Sequence, residues 1–261
     1  RDAHRARASA HQAIVALREF EQPAWMIAQM YIVQAYIENL LAESMCSGIP
    51  FSTVVDGQTE FGAPLTTAET YTRALAHVDS AITELTGETD AEVASLLDAA
   101  AVLKGRILVN QGDYADAATA VAGVDVGFVW ENEHSQTTNL NGNWLFNSSI
   151  GRYSVGTGEG TNGLDFTSDP RVPTCQKDNR AGFGVNTCPE GADVPVTRPF
   201  DTSVPQALVV QLKYADREAP MAMMDGIEAK LIEAEAALDA GAYATPLTGT
   251  LAILNDLRAD A

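Results

Sequence analysis

The chain of 261 residues is 46% hydrophobic and carries 16 basic against 35 acidic residues, a formal net charge of −19. That apolar content can build a core without metals or disulfides as its main support, over one or two domains. The acidic balance repels nucleic acid and anionic headgroups, and no basic patch overrides it: Arg1, Arg5, Arg7 and Arg18 sit beside alanines at spacings that read as a solvated helix face. No apolar run approaches the roughly 18 residues needed to cross a bilayer, so the folded part is expected to be soluble.

In chain order, Met26, Met30, Val33, Ile37 and Leu40 follow helical steps and predict a helix ending near Gly48. Cys46, near its end, reads as a small buried hydrophobe. Thr66 and Glu69 have capping-box spacing, in which hydroxyl and carboxylate satisfy free backbone donors at a helix start. Tyr71, Leu75, Val78, Ile82 and Leu85 then supply a buried stripe. Thr89 and Glu92 repeat the box ahead of Leu96, Ala100, Leu103 and Ile107, and Gly112 stands where a left-handed cap belongs. A fourth helix is expected from Tyr114 to about Val121. Far downstream, Asp225-Gly226-Ile227-Glu228 starts another, with Ile227, Leu231, Ala234 and Leu238 inward and Gly241 as its stop, and a last helix runs through Leu251 and Leu254.

An internal echo links these segments. Gly112-Asp113-Tyr114 and Gly241-Ala242-Tyr243 correspond, and Gly105 falls on Ala234 under the same shift. A small residue, a glycine and an aromatic at these offsets form the turn region of a tetratricopeptide-type helix pair, in which the small residue permits close approach and the tyrosine packs between helices. Residues 24–45 and the Tyr71 helix supply a further pair. The expectation is one mostly α-helical domain, incomplete at both ends. Tetratricopeptide-like pairs would occupy 1–123 and 225–261, and a long irregular, partly β insert 124–224.

The insert is rich in Gly, Asn, Thr, Ser and Pro, yet Phe128, Trp130, Trp144, Phe146, Tyr153, Phe166 and Phe183 argue against disorder. Gly158-x-Gly160-x-x-Gly163 has dinucleotide-fingerprint spacing, but Ser168-Asp169-Pro170 blocks the helix that such a site requires. The glycines, with Gly156, are instead expected to turn an extended loop sharply. Cys175 and Cys188 bracket a polar loop and are candidate disulfide partners, which would favour an oxidising compartment; two free thiols are the alternative that spacing leaves open.

Residues Pro220–Ala236, with the run Glu228-Ala229-Lys230-Leu231-Ile232-Glu233-Ala234-Glu235-Ala236, resemble the helix signature of the SusD/RagB nutrient-binding lipoproteins. Cys46–Phe51, Phe61–Leu65, the Tyr71 helix and Asp169-Pro170-Arg171 occur in the order that family shows. The resemblance implies a non-catalytic, cofactor-free protein on the outer face of an outer membrane, anchored through a lipidated N-terminal cysteine that these residues do not include. It further implies a partner, a TonB-dependent transporter barrel of the SusC type, to which an oligosaccharide or peptide nutrient is delivered.

Sugar binding needs flat aromatic faces with amides and carboxylates around them. Trp130, Asn132, Asn141, Asn143, Trp144 and Tyr153 are therefore the candidate ligand-binding residues, the alternative being that both tryptophans pin the insert as core. Glu131, Glu133 and His134 as a metal or acid–base group read more simply as solvated loop charges. Glu159 and Asp165 as a glycosidase pair belong to a remote hydrolase alternative, and a protein-interaction scaffold is the nearer one. His4, His11 and His77 lie on predicted helices without partners at ligand spacing.

Overall fold

The structure, a computed structural model, describes residues 2–55, 58–159, 162–246 and 248–259. It divides into two compact units, Arg1–Trp130 with Met224–Ala261, and Glu131–Met223.

The first unit is built from α1 (Asp2–Glu19), α2 (Ala24–Ser44), α3 (Thr67–Leu85), α4 (Val93–Gln111), α5 (Tyr114–Val121), α6 (Gly226–Asp239) and α7 (Thr250–Ala259). Helices α2 and α3, α4 and α5, and α6 and α7 pack as tetratricopeptide-like pairs, with α1 added against α2. The fold is mostly α, as the periodicity predicts. Between α2 and α3, strand Ile49–Pro50 pairs antiparallel with Pro64–Leu65, and Thr53–Val55 with Gln58–Glu60.

Several helix signals act as expected. The Glu69 amide donates to Thr66 Oγ1 at 3.2 Å, and the Thr66 amide donates to Glu69 Oε2 at 2.7 Å, a complete capping box. Gly112 closes α4 at φ 86°, its N–H bonding the Leu108 and Val109 carbonyls, and Gly241 follows α6 at φ 73°. Leu96, Ala100, Leu103 and Ile107 are buried.

Others are corrected. Thr89 and Glu92 do not form a box: α4 starts only at Val93, after a turn closed by the Val93 N–H to the Asp90 carbonyl, so Glu92 lies before the helix instead of in its first turn. Helix α2 buries Ile27, Ala28, Ile32, Ala35, Ile37 and Leu41, whereas Leu40 is exposed, because neighbours on more than one side override a single stripe. On α6 the inward residues are Gly226, Ala229, Ile232 and Ala234, while Ile227, Leu231 and Leu238 are exposed. The small side of α6 approaches α5 and α4, and bulkier side chains would hold it off. Tyr243 is exposed and Cys46 is exposed, neither packed as expected.

Gly105 on α4 shows how close that approach is. A Cβ there would lie 2.6 Å from Val121 Cγ1 and 3.1 Å from Ile232 Cδ1, so α5 and α6 converge on the missing side chain. Arg106, the next residue, forks onto both Glu228 oxygens and ties α4 to α6.

A polar cluster is buried between α1, α2 and α3. Glu38 is fully buried: its Oε1 accepts from Arg73 Nε at 2.8 Å and Gln34 Nε2 at 3.3 Å, while His77 Nδ1 lies 2.7 Å from Oε2. His77 thus has a partner that its spacing in sequence conceals. Phe51 lies between two cations, the Arg7 and Arg73 guanidinium carbons each 5.2 Å from its ring centroid. Arg7 is 2% exposed, so this end of α1 is not the solvated face that alanine-flanked arginines suggest.

Burial pushes the Glu38 carboxyl up, but hydrogen bonds and charge from His77 and Arg73 outweigh it and leave it below its ordinary value of 4.5. A carboxyl depressed on folding contributes stability that is full above the ordinary value and is lost as pH falls through the folded one. Glu38→Gln should therefore cost about 3 kcal/mol at neutral pH in urea unfolding, because Arg73 loses its buried counter-charge. The variant should also lose less stability than the parent between neutral and acid pH.

Candidate functional site

The unit Glu131–Met223 contains little regular structure, and polar side chains hold its loops. Asn141 is fully buried: its Oδ1 accepts from the Asn143 and Trp144 amides at 2.9 and 3.0 Å, and its Nδ2 donates to the Ala219 carbonyl at 2.8 Å. This caps a π-helical turn, Trp144–Ser149. Inside that turn Asn147, also fully buried, donates to the Tyr153 carbonyl at 2.7 Å and accepts from the Gln211 amide at 2.8 Å. One amide side chain therefore joins the turn, the segment after it and strand Val209–Gln211.

That strand pairs antiparallel with Thr174–Asp178, which pairs with Val185–Asn186. Cys175 and Cys188 form a disulfide across this sheet, and Cys175 belongs to a small core with Val194, Val196, Leu208 and Val210. Arg180 fastens the outer loop. It forks onto buried Asp178, with Nη2 at 2.7 Å from Oδ2, and donates to the carbonyls of Thr202, Val204 and Gln206. The Arg180 hydrogen bonds hold the Asp178 carboxyl below the ordinary carboxylate range.

These fixings border a recess of about 260 Å³ lined by Ser154, Val155, Thr157, Pro199, Gln206 and Leu208, among others. Gly151 packs against Leu208 of its lining: at φ 63°, a Cβ would lie 3.3 Å from Leu208 Cδ2 and 2.8 Å from the Arg198 carbonyl oxygen, and its own carbonyl accepts from the Phe200 amide at 2.8 Å. This close approach brings Phe200 beside Arg152, whose guanidinium carbon lies 4.7 Å from the ring centroid. Phe200 remains 62% exposed. Tyr153 is exposed too, its hydroxyl donating to the Asn143 carbonyl at 3.2 Å. An exposed aromatic face backed by a cation, next in sequence to an apolar recess, can stack a flat or ring-shaped ligand group.

The six candidate ligand residues fall into distinct roles. Trp144 is buried, its Nε1–H donates to the Asp193 carbonyl at 2.7 Å, and Arg217 lies over its ring, so it packs the interior and offers no open face. Asn141 has its amide committed to backbone. Asn143 and Tyr153 come together at the surface of this unit. Asn132 is exposed at the end of strand Val129–Asn132, and Trp130, half-buried on the same strand, belongs to the helical unit. Phe200, Arg152 and Gly151 were not singled out in sequence; the one available signal is an aromatic in a proline-rich polar stretch.

Among the described residues the other chemistries find no assembled site. Gly158 and Gly163 take positive φ in a hairpin of Thr157–Glu159 with Leu164–Asp165, and Gly160 lies outside the described residues. Only a three-residue 3-10 turn follows, so there is no helix start to hold a pyrophosphate. Asp165 accepts from the Thr167 amide and hydroxyl at 3.0 and 2.6 Å, which hold its carboxyl down and commit it to the turn; the side chain of Glu159 lies outside the described residues. Glu131 and Glu133 are exposed, and His134 Nδ1 lies 3.2 Å from the Asn139 carbonyl. Among the described residues no group of three His, Cys, Asp or Glu side chains could hold a metal ion. In Asp169-Pro170-Arg171, hydrogen bonds from Arg171 lower the Asp169 carboxyl to about 2.

No protein-family model matches the chain, and no curated protein matches its sequence. Solved structures do match its fold. A SusD/RagB family protein from Bacteroides thetaiotaomicron superposes with a TM-score of 0.64 at 19% identity, over 92% of this chain and 55% of that one. A SusD-like protein from the same organism gives 0.56 at 20% identity, over 87% and 50%. The fold is thus that of SusD/RagB proteins, and the chain spans about half the length of those it matches.

Because loops of this unit are held by polar links and one disulfide, each link should matter. Reducing Cys175–Cys188 should destabilise the unit by about 3 kcal/mol, the chain-entropy value for so short a loop. Arg180→Ala should cost a similar amount, about 3 kcal/mol, since it strands buried Asp178. Amide hydrogen exchange along residues 174–211 should quicken in both cases, with α2–α4 amides unchanged.

Proposed function

We propose that this chain is the nutrient-recognising part of a cell-surface, lipid-anchored binding protein that captures an oligosaccharide or peptide and hands it to a TonB-dependent transporter. The observation that carries the reading is the recess of the Glu131–Met223 unit with its Arg152–Phe200 stack and exposed Tyr153, on a fold shared with SusD-like proteins. Its volume lies just below the roughly 300–1,000 Å³ of ligand clefts, which suits one sugar ring or one side chain of a longer ligand. Recognition is by stacking and hydrogen bonding, without bond breaking; Asp165 and Glu131 are engaged or solvated and are given no catalytic part. Among the described residues no helix is long and apolar enough to cross a membrane, so membrane attachment in this reading rests on a lipid.

A second reading has its own support. A cavity of about 520 Å³ lined by Ile82, Leu97, Ala101, Lys104, Leu108 and Asp116 lies among α3, α4 and α5, a place where a tetratricopeptide-like scaffold would take a peptide. The two readings separate by ligand and by residue.

In titration calorimetry against a panel of soluble oligosaccharides and oligopeptides, the nutrient reading expects a binder whose affinity falls about tenfold in Phe200→Ala, the loss of one good stacking contact of ~1.4 kcal/mol. Tyr153→Ala should weaken it less. Affinity unchanged in both variants and lost in Leu97→Glu would move recognition to the helical cavity and defeat the proposal.

A further inference from the structure

Asparagine is followed by glycine at two places in the sequence, Asn141-Gly142 and Asn162-Gly163. Such a pair can modify itself, because the main-chain nitrogen of the glycine can attack Cγ of the asparagine, and a residue without Cβ does not hinder the approach. The attack requires an amide free to turn onto that nitrogen. The two places differ in that respect.

Asn141 is held through all its polar atoms. It is fully buried, its Oδ1 accepts from the Asn143 and Trp144 amides, and its Nδ2 donates to the Ala219 carbonyl. Its own N–H donates to the Arg217 carbonyl at 2.8 Å, and its carbonyl accepts from the Leu145 amide at 2.9 Å. To bring Cγ onto the Gly142 nitrogen, the side chain must leave its three partners inside the fold, where unmade hydrogen bonds are costly. Asn162 is under no such restraint. It is exposed in the turn between the paired segments Thr157–Glu159 and Leu164–Asp165, and among the described residues no hydrogen bond holds its amide. Gly163 stands at φ 60° with nothing within 4 Å of the position a Cβ would take, so no neighbour crowds the reacting pair.

We infer that Asn162 is a site of spontaneous deamidation and that the fold protects Asn141 from the same reaction. The Gly163 nitrogen bonds to Cγ of Asn162, the Cγ–Nδ2 bond breaks, and the amino group leaves as ammonia with the proton of the attacking nitrogen. A cyclic imide remains. Water then adds its hydroxyl to one of the two imide carbonyl carbons and its proton to the nitrogen as the bond between them breaks. Opening at Cγ gives aspartate in an ordinary chain, whereas opening at the main-chain carbonyl carbon gives isoaspartate, whose backbone runs through the side chain and is one carbon longer. Either product adds a negative charge to a chain that already carries −19. Isoaspartate also lengthens the turn, so the pairing of Glu159 with Leu164 must shift. The site is independent of the nutrient reading, although Thr157 of the same paired segment lines the recess.

The test ages the whole folded chain in mildly alkaline buffer and, in parallel, in the same buffer with urea. Samples are digested under acidic conditions, and the amide-to-acid mass change is followed at each asparagine, with methyl transfer by an isoaspartate methyltransferase as a second readout. In the folded chain Asn162 should convert more than about tenfold faster than Asn141, the factor that opening one hydrogen bond of ~1.4 kcal/mol already imposes. In urea the two should convert at similar rates, since both then precede glycine in an open chain. Asn162→Gln, whose longer side chain cannot close the same ring, should remove the methyl-accepting product from the folded sample; the mass readout on the unaltered chain stands without it. Equal conversion at the two positions in the folded chain would overturn the inference, as would an unchanged Asn162 in folded protein whose urea-treated counterpart converts.

Discussion

The helical unit depends on one close approach. Its chain is interrupted after Trp130 and resumes at Met224, so α6 must find α4 and α5 without the help of a short connection. Gly105 makes this possible: Val121 and Ile232 occupy the space where any side chain would stand, and Ala229 and Ala234 keep the facing side of α6 thin. Dispersion falls off steeply with separation, so a docking surface of small residues gains from the many atom pairs it brings into range. Arg106 reaching Glu228 adds direction to a contact that apolar packing alone would leave free to slide. At the start of α6, Gly226 repeats the device, since a Cβ there would lie 2.0 Å from the Asp125 carbonyl oxygen. The segment that leaves and the segment that returns thus meet at the start of α6.

The other unit solves a different problem. With strands of two to five residues and one π-helical turn, backbone ladders satisfy few of its N–H and C=O groups. Asn141, Asn147 and Arg180 take over that work, each bonding several backbone groups far apart in sequence. This explains the composition of the insert. Asparagine supplies both donor and acceptor in a short side chain, and glycine supplies positive φ, as at Gly151 where the chain must pass the Arg198 carbonyl.

Legibility in the sequence follows the same division. The helix pairs, the Thr66 box, the Gly112 cap and the α4 stripe were readable because local periodicity and local hydrogen bonds decide them. The face of α6 was not: Ile227, Leu231 and Leu238 form the more hydrophobic stripe, but tertiary approach selected the Gly/Ala side. The Glu38 cluster was hidden for a similar reason, since Glu38, Arg73, His77 and Arg7 come from three helices and meet only after packing. At the candidate ligand surface, aromatic content singled out Tyr153, which the structure brings together with Asn143, but not the exposed Phe200 ring. Trp144 and Phe200 are both aromatics in polar loops, and only the Asp193 carbonyl on one and the Gly151 approach on the other separate interior from surface.

That separation bears on how a ligand would be read. Most polar side chains of the Glu131–Met223 unit that are well placed are already occupied by backbone, and the recess itself is lined largely by aliphatic groups. A ligand there would meet shape and an aromatic face first, with few charged groups to orient it; the guanidinium of Arg152 is engaged with Phe200. Because Gly151 holds Phe200 through a main-chain hydrogen bond, the ring is positioned before any ligand arrives, and little ordering cost falls on binding. Stacking of this kind distinguishes ring-shaped from linear groups better than it distinguishes one ring from another. On the proposed nutrient reading, broad acceptance of related rings would follow, and sharper selection would need polar contacts beyond the recess.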